Sequence, residues 1–190
     1  MENKLPIALS NKHIHLGQED LDILFGEGYE LTPIKDLSQP GQYACDERVD
    51  IAGPKGTLKG VRVLGPIRGR TQIEVSISDA FKLGVEPIVR NSGDVKNTPG
   101  AKIVGPKGEV ELEDGVIVAA RHIHMHTSDG EKFGVKDKDI VKAKTEGMRS
   151  LVFENVLIRV ADNFFLEMHV DIEEGNAAGV KNGDLVELIK

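Results

Sequence analysis

Six histidines occur in the chain, and five of them fall in two short clusters. His13 and His15 are separated by one residue, His122 and His124 likewise, and His126 follows at the same interval. On a strand, residues i and i+2 project from one face, so each His-x-His pair can offer two imidazoles to one ion. Imidazole suits zinc, copper, iron, nickel or cobalt, and a tetrahedral site needs at least one ligand more. Two residues could supply it. His169, in Leu166-Glu-Met-His-Val170, is the histidine outside the clusters. Glu74, in Thr71-Gln-Ile-Glu-Val75, is a carboxylate inside an apolar run, with Ile73 and Val75 on the opposite face by alternation. If buried, Glu74 needs a cation or hydrogen bonds; on a half-exposed strand it would simply face water, and the pattern leaves both open. A single His-x-His is commonly two surface histidines. Two of them in matching hexapeptides, Asn11-Lys-His-Ile-His-Leu16 and Ala120-Arg-His-Ile-His-Met125, favour ligands. His126 reads as a peripheral residue past the strand end.

A second chemistry is suggested by charge. The chain holds 31 acidic and 24 basic residues, a net charge of −7, yet nothing acidic lies between Ile51 and Ile73. That stretch carries Lys55, Lys59, Arg62, Arg68 and Arg70, which suggests an anion-binding face. Arg68 precedes Glu74 by six residues, and a guanidinium can grip phosphate through two parallel hydrogen bonds. Asn91-Ser-Gly-Asp94 reads first as a turn, although Ser92 and its backbone N–H groups could also meet an anion. The familiar nucleotide and nucleophile devices are missing: no Walker loop, no Gly-x-Gly-x-x-Gly after a strand and no Gly-x-Ser-x-Gly elbow occurs. Cys45 lies beside Asp46 and Glu47, a setting that disfavours a reactive thiolate. His13-x-His15 followed by Glu19 is similar to half of a cupin metal motif. However, Glu19–Phe25 has helical spacing and the companion motif is absent.

These residues must be positioned by short strands. Runs such as 49–52, 61–64, 72–77, 116–119, 156–160 and 185–189 are β-branched and bounded by glycine or proline. Helices are few and short; the clearest spans Gln18 to Phe25, with Leu21, Leu24 and Phe25 at helical spacing and Gly26 to end it. Two Gly-Pro-Lys-Gly turns (53–56 and 105–108) and three Gly-Val helix endings (84–85, 134–135 and 179–180) repeat along the chain. The expectation is a mostly β protein with short helices, built as two related small β-barrel subdomains packed together. The first, residues 1–85, would carry the first His-x-His motif, the basic stretch and Glu74; the second, residues 86–190, would carry the second motif and His169. Net acidity and an aromatic content of 4% argue against nucleic acid. No apolar run approaches the ~20 residues of a membrane helix, Met1–Lys4 does not open a signal peptide, and one cysteine suits the cytoplasm. Residue types alone admit an enzyme for anionic substrates, a metal-dependent thioesterase or other hydrolase, or a non-catalytic metal-binding β-barrel protein.

The set Ser10-Asn-Lys-His-Ile-His-Leu16, Gly65-Pro-Ile-Arg68 with Thr71-Gln-x-Glu74, Arg121-His-Ile-His-Met125 and Met168-His169 resembles the PduL-type phosphotransacylases. These are the phosphate propanoyltransferases of 1,2-propanediol use and related phosphate acetyltransferases. The resemblance runs from about Leu5 to Lys190 and implies the reaction acyl-CoA + phosphate ⇌ acyl phosphate + CoA on short acyl chains, propanoyl or acetyl. It implies two zinc ions (or another late first-row divalent metal) between two barrels, one held by His13, His15 and Glu74 and the other by His122, His124 and His169. It also implies that Arg68 is the catalytic phosphate-binding residue, with help from Ser92, and that coenzyme A lies along Ser10, Lys35, Arg62, Leu64 and Asn176. A homodimer and an acyl kinase acting next in the pathway follow from the same resemblance. Since the first motif strand starts near Leu5, a microcompartment-targeting helix is not expected ahead of it.

Overall fold

Among the described residues, short β-branched runs bounded by glycine turns form fifteen strands, with four short helices between them. The computed structural model describes residues 3–190. Met1 and Glu2, which open the segment read for a signal peptide, lie outside them. The chain divides into two units, Lys12–Ala119 and the described residues up to Asn11 with Ala120–Lys190.

In the unit Lys12–Ala119, the strands are β2 (His13–His15), β3 (Pro33–Asp36), β4 (Tyr43–Ala52), β5 (Thr57–Gly65), β6 (Gln72–Glu74), β7 (Val89–Arg90), β8 (Ala101–Val104), β9 (Glu109–Leu112) and β10 (Val116–Ala119). They form a curled half-barrel sheet in the order β7-β10-β6-β2-β5-β4-β8-β9, with β3 beside β4. Helices α1 (Gln18–Phe25) and α2 (Ile77–Leu83) belong to this unit. Its core gathers Ile14, Leu21, Leu24, Ile51, Val63, Ile73 and Leu83. The other unit contains β1 (Lys4–Ser10), β11 (His122–Met125), β12 (Ile140–Lys144), β13 (Val152–Val160), β14 (Glu167–Asp171) and β15 (Leu185–Ile189), with α3 (Thr127–Phe133) and α4 (Ile172–Ala178). These six strands close into a barrel, β1-β14-β11-β13-β12-β15, around Leu5, Ile7, Ile123, Ile158, Met168 and Val186. The mostly β fold with short helices is the expected class, with one closed barrel and one half-barrel.

The division does not fall at residue 85. β1 pairs with β14 and β15 and so joins the C-terminal strands, whereas β8 pairs with β4 and β10 with β6, holding residues 101–119 in the unit that begins at Lys12. Both Gly-Pro-Lys-Gly turns therefore lie in one unit. Each caps a helix: the Lys55 N–H donates to the Leu83 carbonyl at the end of α2, and the Lys107 N–H to the Leu24 carbonyl of α1 (2.9 and 3.0 Å). A side chain at Gly53 would meet the Leu83 oxygen at 2.4 Å, and one at Gly105 the Leu24 oxygen at 2.6 Å, so glycine is required by close approach. The three Gly-Val endings are Schellman caps: Gly84, Gly134 and Gly179 are left-handed, and Val85, Val135 and Val180 donate back to Ala80, Gly130 and Gly175. The run 72–77 stops as a strand at Glu74, because Ser76 accepts from the Asp79 N–H and starts α2. No helix among the described residues is long and apolar enough to cross a membrane.

Candidate metal and phosphate site

Ile14 is fully buried in the half-barrel core, which turns His13 and His15 to the opposite face of β2. Antiparallel pairing with β6 sets Glu74 opposite His13 and Gln72 opposite His15. The four side chains form a cross-strand square. One ligand atom from each of His13, His15 and Glu74 falls within 4.8 Å of the others, and among the described residues this is the trio so gathered. Glu74 is thus no solvent-facing strand residue: its Oε2 lies 3.4 Å from His13 Nε2, and its side chain is 12% exposed.

The electrostatics suit a cation. Burial lowers the His15 pKa to about 3, helped by the nearby His13 and Arg68, so His15 is neutral, the form that ligates. Its Nδ1 lies 3.1 Å from the Leu64 carbonyl. A carbonyl only accepts, so Nδ1 carries the proton and Nε2 keeps its lone pair. Burial pushes the Glu74 carboxyl up, but the His13 ring, His15 and the Ser92 hydroxyl outweigh it and hold the group well below the usual carboxylate range. Two imidazoles and an ionised carboxylate are a donor set for zinc or a similar late divalent ion.

An arginine and a serine are wired to this trio. The Arg68 N–H donates to the Leu16 carbonyl just past β2 (2.9 Å). The same segment is anchored at Thr71, whose Oγ1 accepts from the Gly17 N–H (2.8 Å) and donates to Asp20. Arg68 Nη1 donates to Ser92 Oγ (3.2 Å), and Ser92 Oγ donates to Glu74 Oε1 (3.0 Å). Ser92 sits in a turn closed by the Asp94 N–H on the Asn91 carbonyl. Lys55, Lys59 and Arg70 of the basic stretch do not gather here. Lys55 lies in the turn that caps α2, Arg70 pairs with Asp114, and Lys59 is exposed.

In the barrel the same strategy recurs. Ile123 is fully buried. β14 places His169 opposite His122 and Glu167 opposite His124. The three rings stand 4.7 Å (His122–His124), 5.1 Å (His122–His169) and 4.9 Å (His124–His169) apart. His122 Nδ1 is anchored on the Ala120 carbonyl at 2.9 Å. Burial, then His122, His169 and Arg159, lower the His124 pKa to about 2. Two buried side-chain atoms among the described residues lack a hydrogen-bond partner, His124 Nδ1 and His169 Nε2; such orphans call for an ion or a water. His169 Nε2 does lie 3.2 Å from Glu167 Oε2, without hydrogen-bond geometry. The set fits a metal, with its ligand atoms less tightly gathered than the first. His126 stands outside it: its Nδ1 accepts from the Ser128 N–H and caps α3.

A family model for phosphate propanoyltransferase matches residues 6–181. The chain belongs to the phosphate propanoyltransferase family. It is 59% identical over 185 residues to a phosphate propanoyltransferase of Thermotoga maritima, covering 97% of this chain and 88% of that one. It is 53% identical over 186 residues to one of Clostridioides difficile (98% and 89%) and 46% identical over 190 residues to one of Listeria monocytogenes (100% and 89%). As a member of the phosphate propanoyltransferase family it is an enzyme, a phosphate acyltransferase. The span shared with the family holds both histidine sets, Arg68 and Ser92, and all five coenzyme A candidates. Of those five, Arg62 is in register with His13 and donates to the Cys45 carbonyl. Lys35, Ala44 and Leu64 form one row across β3, β4 and β5. In the other unit Ser10 ends β1 opposite Asp171, the cap of the helix α4 that carries Asn176. Gln72 and Glu167 escape a reading based on ligand types; their signal is the i−2 spacing to Glu74 and His169.

Proposed function

We propose that the chain interconverts acyl-CoA plus phosphate and acyl phosphate plus CoA on short acyl chains, propanoyl or acetyl. The observation that carries this is the hydrogen-bonded line Arg68–Ser92–Glu74, which ties an anion-binding guanidinium and hydroxyl to a trio of metal ligands. In this reading His13, His15 and Glu74 hold one divalent ion, and His122, His124 and His169 hold another. When bound, such ions supply a Lewis acid for a carbonyl or phosphate oxygen.

Phosphate must approach a thioester that carries the negative charges of CoA. The Arg68 guanidinium offsets that repulsion and, with the Ser92 hydroxyl, fixes the phosphate for in-place attack. A phosphate oxygen bonds to the thioester carbon, the tetrahedral adduct collapses, the C–S bond breaks and CoA leaves as thiolate. No acyl-enzyme is required. Cys45, the single thiol, is fully buried, and burial with the neighbouring Glu47 raises its pKa to about 11. Coenzyme A contacts are assigned to Ser10, Lys35, Arg62, Leu64 and Asn176. A homodimer in the cytoplasm and an acyl kinase consuming the acyl phosphate complete the reading.

Thiol release from propanoyl-CoA and acetyl-CoA, with and without phosphate, tests the proposal alongside elemental analysis of the same sample. Phosphate-dependent release with about two metals per chain is the expected result. Release without phosphate would make the chain a thioesterase, and a burst of CoA before phosphate is added would require an acyl-enzyme.

A further inference from the structure

Gln72 belongs to neither the metal ligands nor the anion-binding pair, yet it touches both. It is 2% exposed. Its amide has two N–H donors and one carbonyl, and all are engaged. Nε2 donates to Glu74 Oε1 (2.6 Å) and to Ser92 Oγ (2.9 Å), and Oε1 accepts from the Gly93 N–H (2.6 Å). The amide orientation follows from its neighbours, since a flipped group would turn its oxygen on the Glu74 carboxylate.

This arrangement sorts the two oxygens of Glu74. Oε1 receives hydrogen bonds from Gln72 and Ser92, while Oε2 is left toward His13 Nε2. The same amide holds the Asn91–Asp94 turn at Gly93, whose φ of 98° is a left-handed conformation and sets the place of Ser92. We propose that Gln72 is a positioning residue with two outputs: it presents Glu74 to the ion through one oxygen only, and it fixes Ser92 and, through it, Arg68 for phosphate. The inference rests on the reading of His13, His15 and Glu74 as metal ligands and of Arg68 with Ser92 as the phosphate pair.

The test uses the full chain stripped of metal. Zinc affinity is measured by competition with a chromogenic chelator, and the KM for phosphate and for propanoyl-CoA in the metal-loaded protein. Gln72→Met keeps the length and removes all three hydrogen bonds. It is expected to weaken zinc binding roughly 10–100-fold, the usual effect of losing a partner of a metal ligand. It should also raise the phosphate KM about tenfold and leave the propanoyl-CoA KM unchanged. A merely structural glutamine would lower thermal stability with zinc affinity and phosphate KM at wild-type values, and that result overturns the proposal. Should Gln72→Met fail to fold, Gln72→Glu keeps an acceptor for Gly93, loses both Nε2 donors, to Glu74 and to Ser92, and sets a second carboxylate beside Glu74. Zinc affinity equal to wild type in that variant overturns it equally. Glu74→Gln separates the two readings: if it binds zinc as wild type does, the metal assignment itself fails, whatever Gln72 does.

Discussion

The two histidine clusters are built on one plan and finished differently. In each, a buried isoleucine between two histidines anchors a short strand, and an antiparallel neighbour brings a third side chain opposite the first histidine. In the half-barrel that third group is Glu74; in the barrel it is His169. The position opposite the second histidine is exchanged in the opposite sense, Gln72 against Glu167. Each cross-strand square therefore contains one carboxylate. In the first it is the ligand candidate and an amide donates to it; in the second it stands beside a histidine ligand candidate. A divalent ion in either square would meet one nearby negative charge, reached by a different route. The half-barrel square is also the one wired to an arginine and a serine. The barrel square is flanked instead by Phe164, 4.4 Å from the His124 ring, with Arg159 over that phenyl.

That asymmetry predicts that phosphate chemistry depends on the first region. Arg68→Ala should lower kcat by roughly 10²–10³, the usual effect of removing a preorganised donor to developing charge, with thermal stability near wild type. Activity within a few-fold of wild type would show that phosphate is held elsewhere. Loss of a ligand in either region comes next. Glu74→Gln and His169→Gln should each release about one metal per chain in elemental analysis, and the other site should stay filled. If either variant empties both sites, the clusters are not independent.

The Glu167→Gln variant sharpens the contrast further. If the carboxylate supports His169 from outside, zinc affinity at that set falls by ~10–100-fold with the ion still bound stoichiometrically. Loss as complete as that of His169→Gln would make Glu167 a ligand. The clusters should agree, by contrast, in their response to acid. His15 titrates near 3 and His124 near 2 in the folded chain, against 6.5 for both when unfolded. Between these values the unfolded chain binds protons that the folded one does not. Metal-free stability is therefore intact above pH 6.5 and falls as pH drops below it, by at most ~1.4 kcal/mol per pH unit for each histidine. Glu74, held below the carboxylate range, adds no slope until lower pH. Urea unfolding at pH 7.5 and 5 measures this, and His15→Gln should flatten the dependence.

Much of this was legible locally. The helix Gln18–Phe25 has the bounds that Leu21, Leu24, Phe25 and Gly26 imply, because spacing and a glycine stop are properties of a few adjacent residues. The three Gly-Val endings and the strands 116–119 and 185–189 were readable for the same reason. What the order of residues hides is partnership at long range. β1 pairs with strands more than 150 residues away, so a boundary drawn at residue 85 follows the chain and not the pairing. The burial of Glu74 depends on β2 lying beside β6. The basic stretch looks like one surface because its residues are consecutive, yet only Arg68 donates to the turn that holds Ser92. The run 72–77 is apolar enough for a longer strand, but the Ser76 cap competes and wins.

The smallest effect concerns the histidine that breaks the symmetry of the motifs. His13-Ile-His15-Leu16-Gly17 aligns with His122-Ile-His124-Met125-His126, so His126 occupies the place of Gly17. Both residues are N-caps, Gly17 of α1 and His126 of α3. Gly17 offers no side chain and hands its N–H to Thr71. His126 supplies its Nδ1 to the Ser128 N–H. The imidazole is therefore used as a cap, and a capping nitrogen that accepts from backbone is not available to an ion. His126→Ala should cost about 1 kcal/mol of stability, the usual range for a lost N-cap, and His126→Ser should restore it. Metal content and phosphate-dependent turnover should match wild type in both. A loss of metal from His126→Ala that serine does not repair would instead make His126 part of the second cluster, and the correspondence with Gly17 would be one of position only.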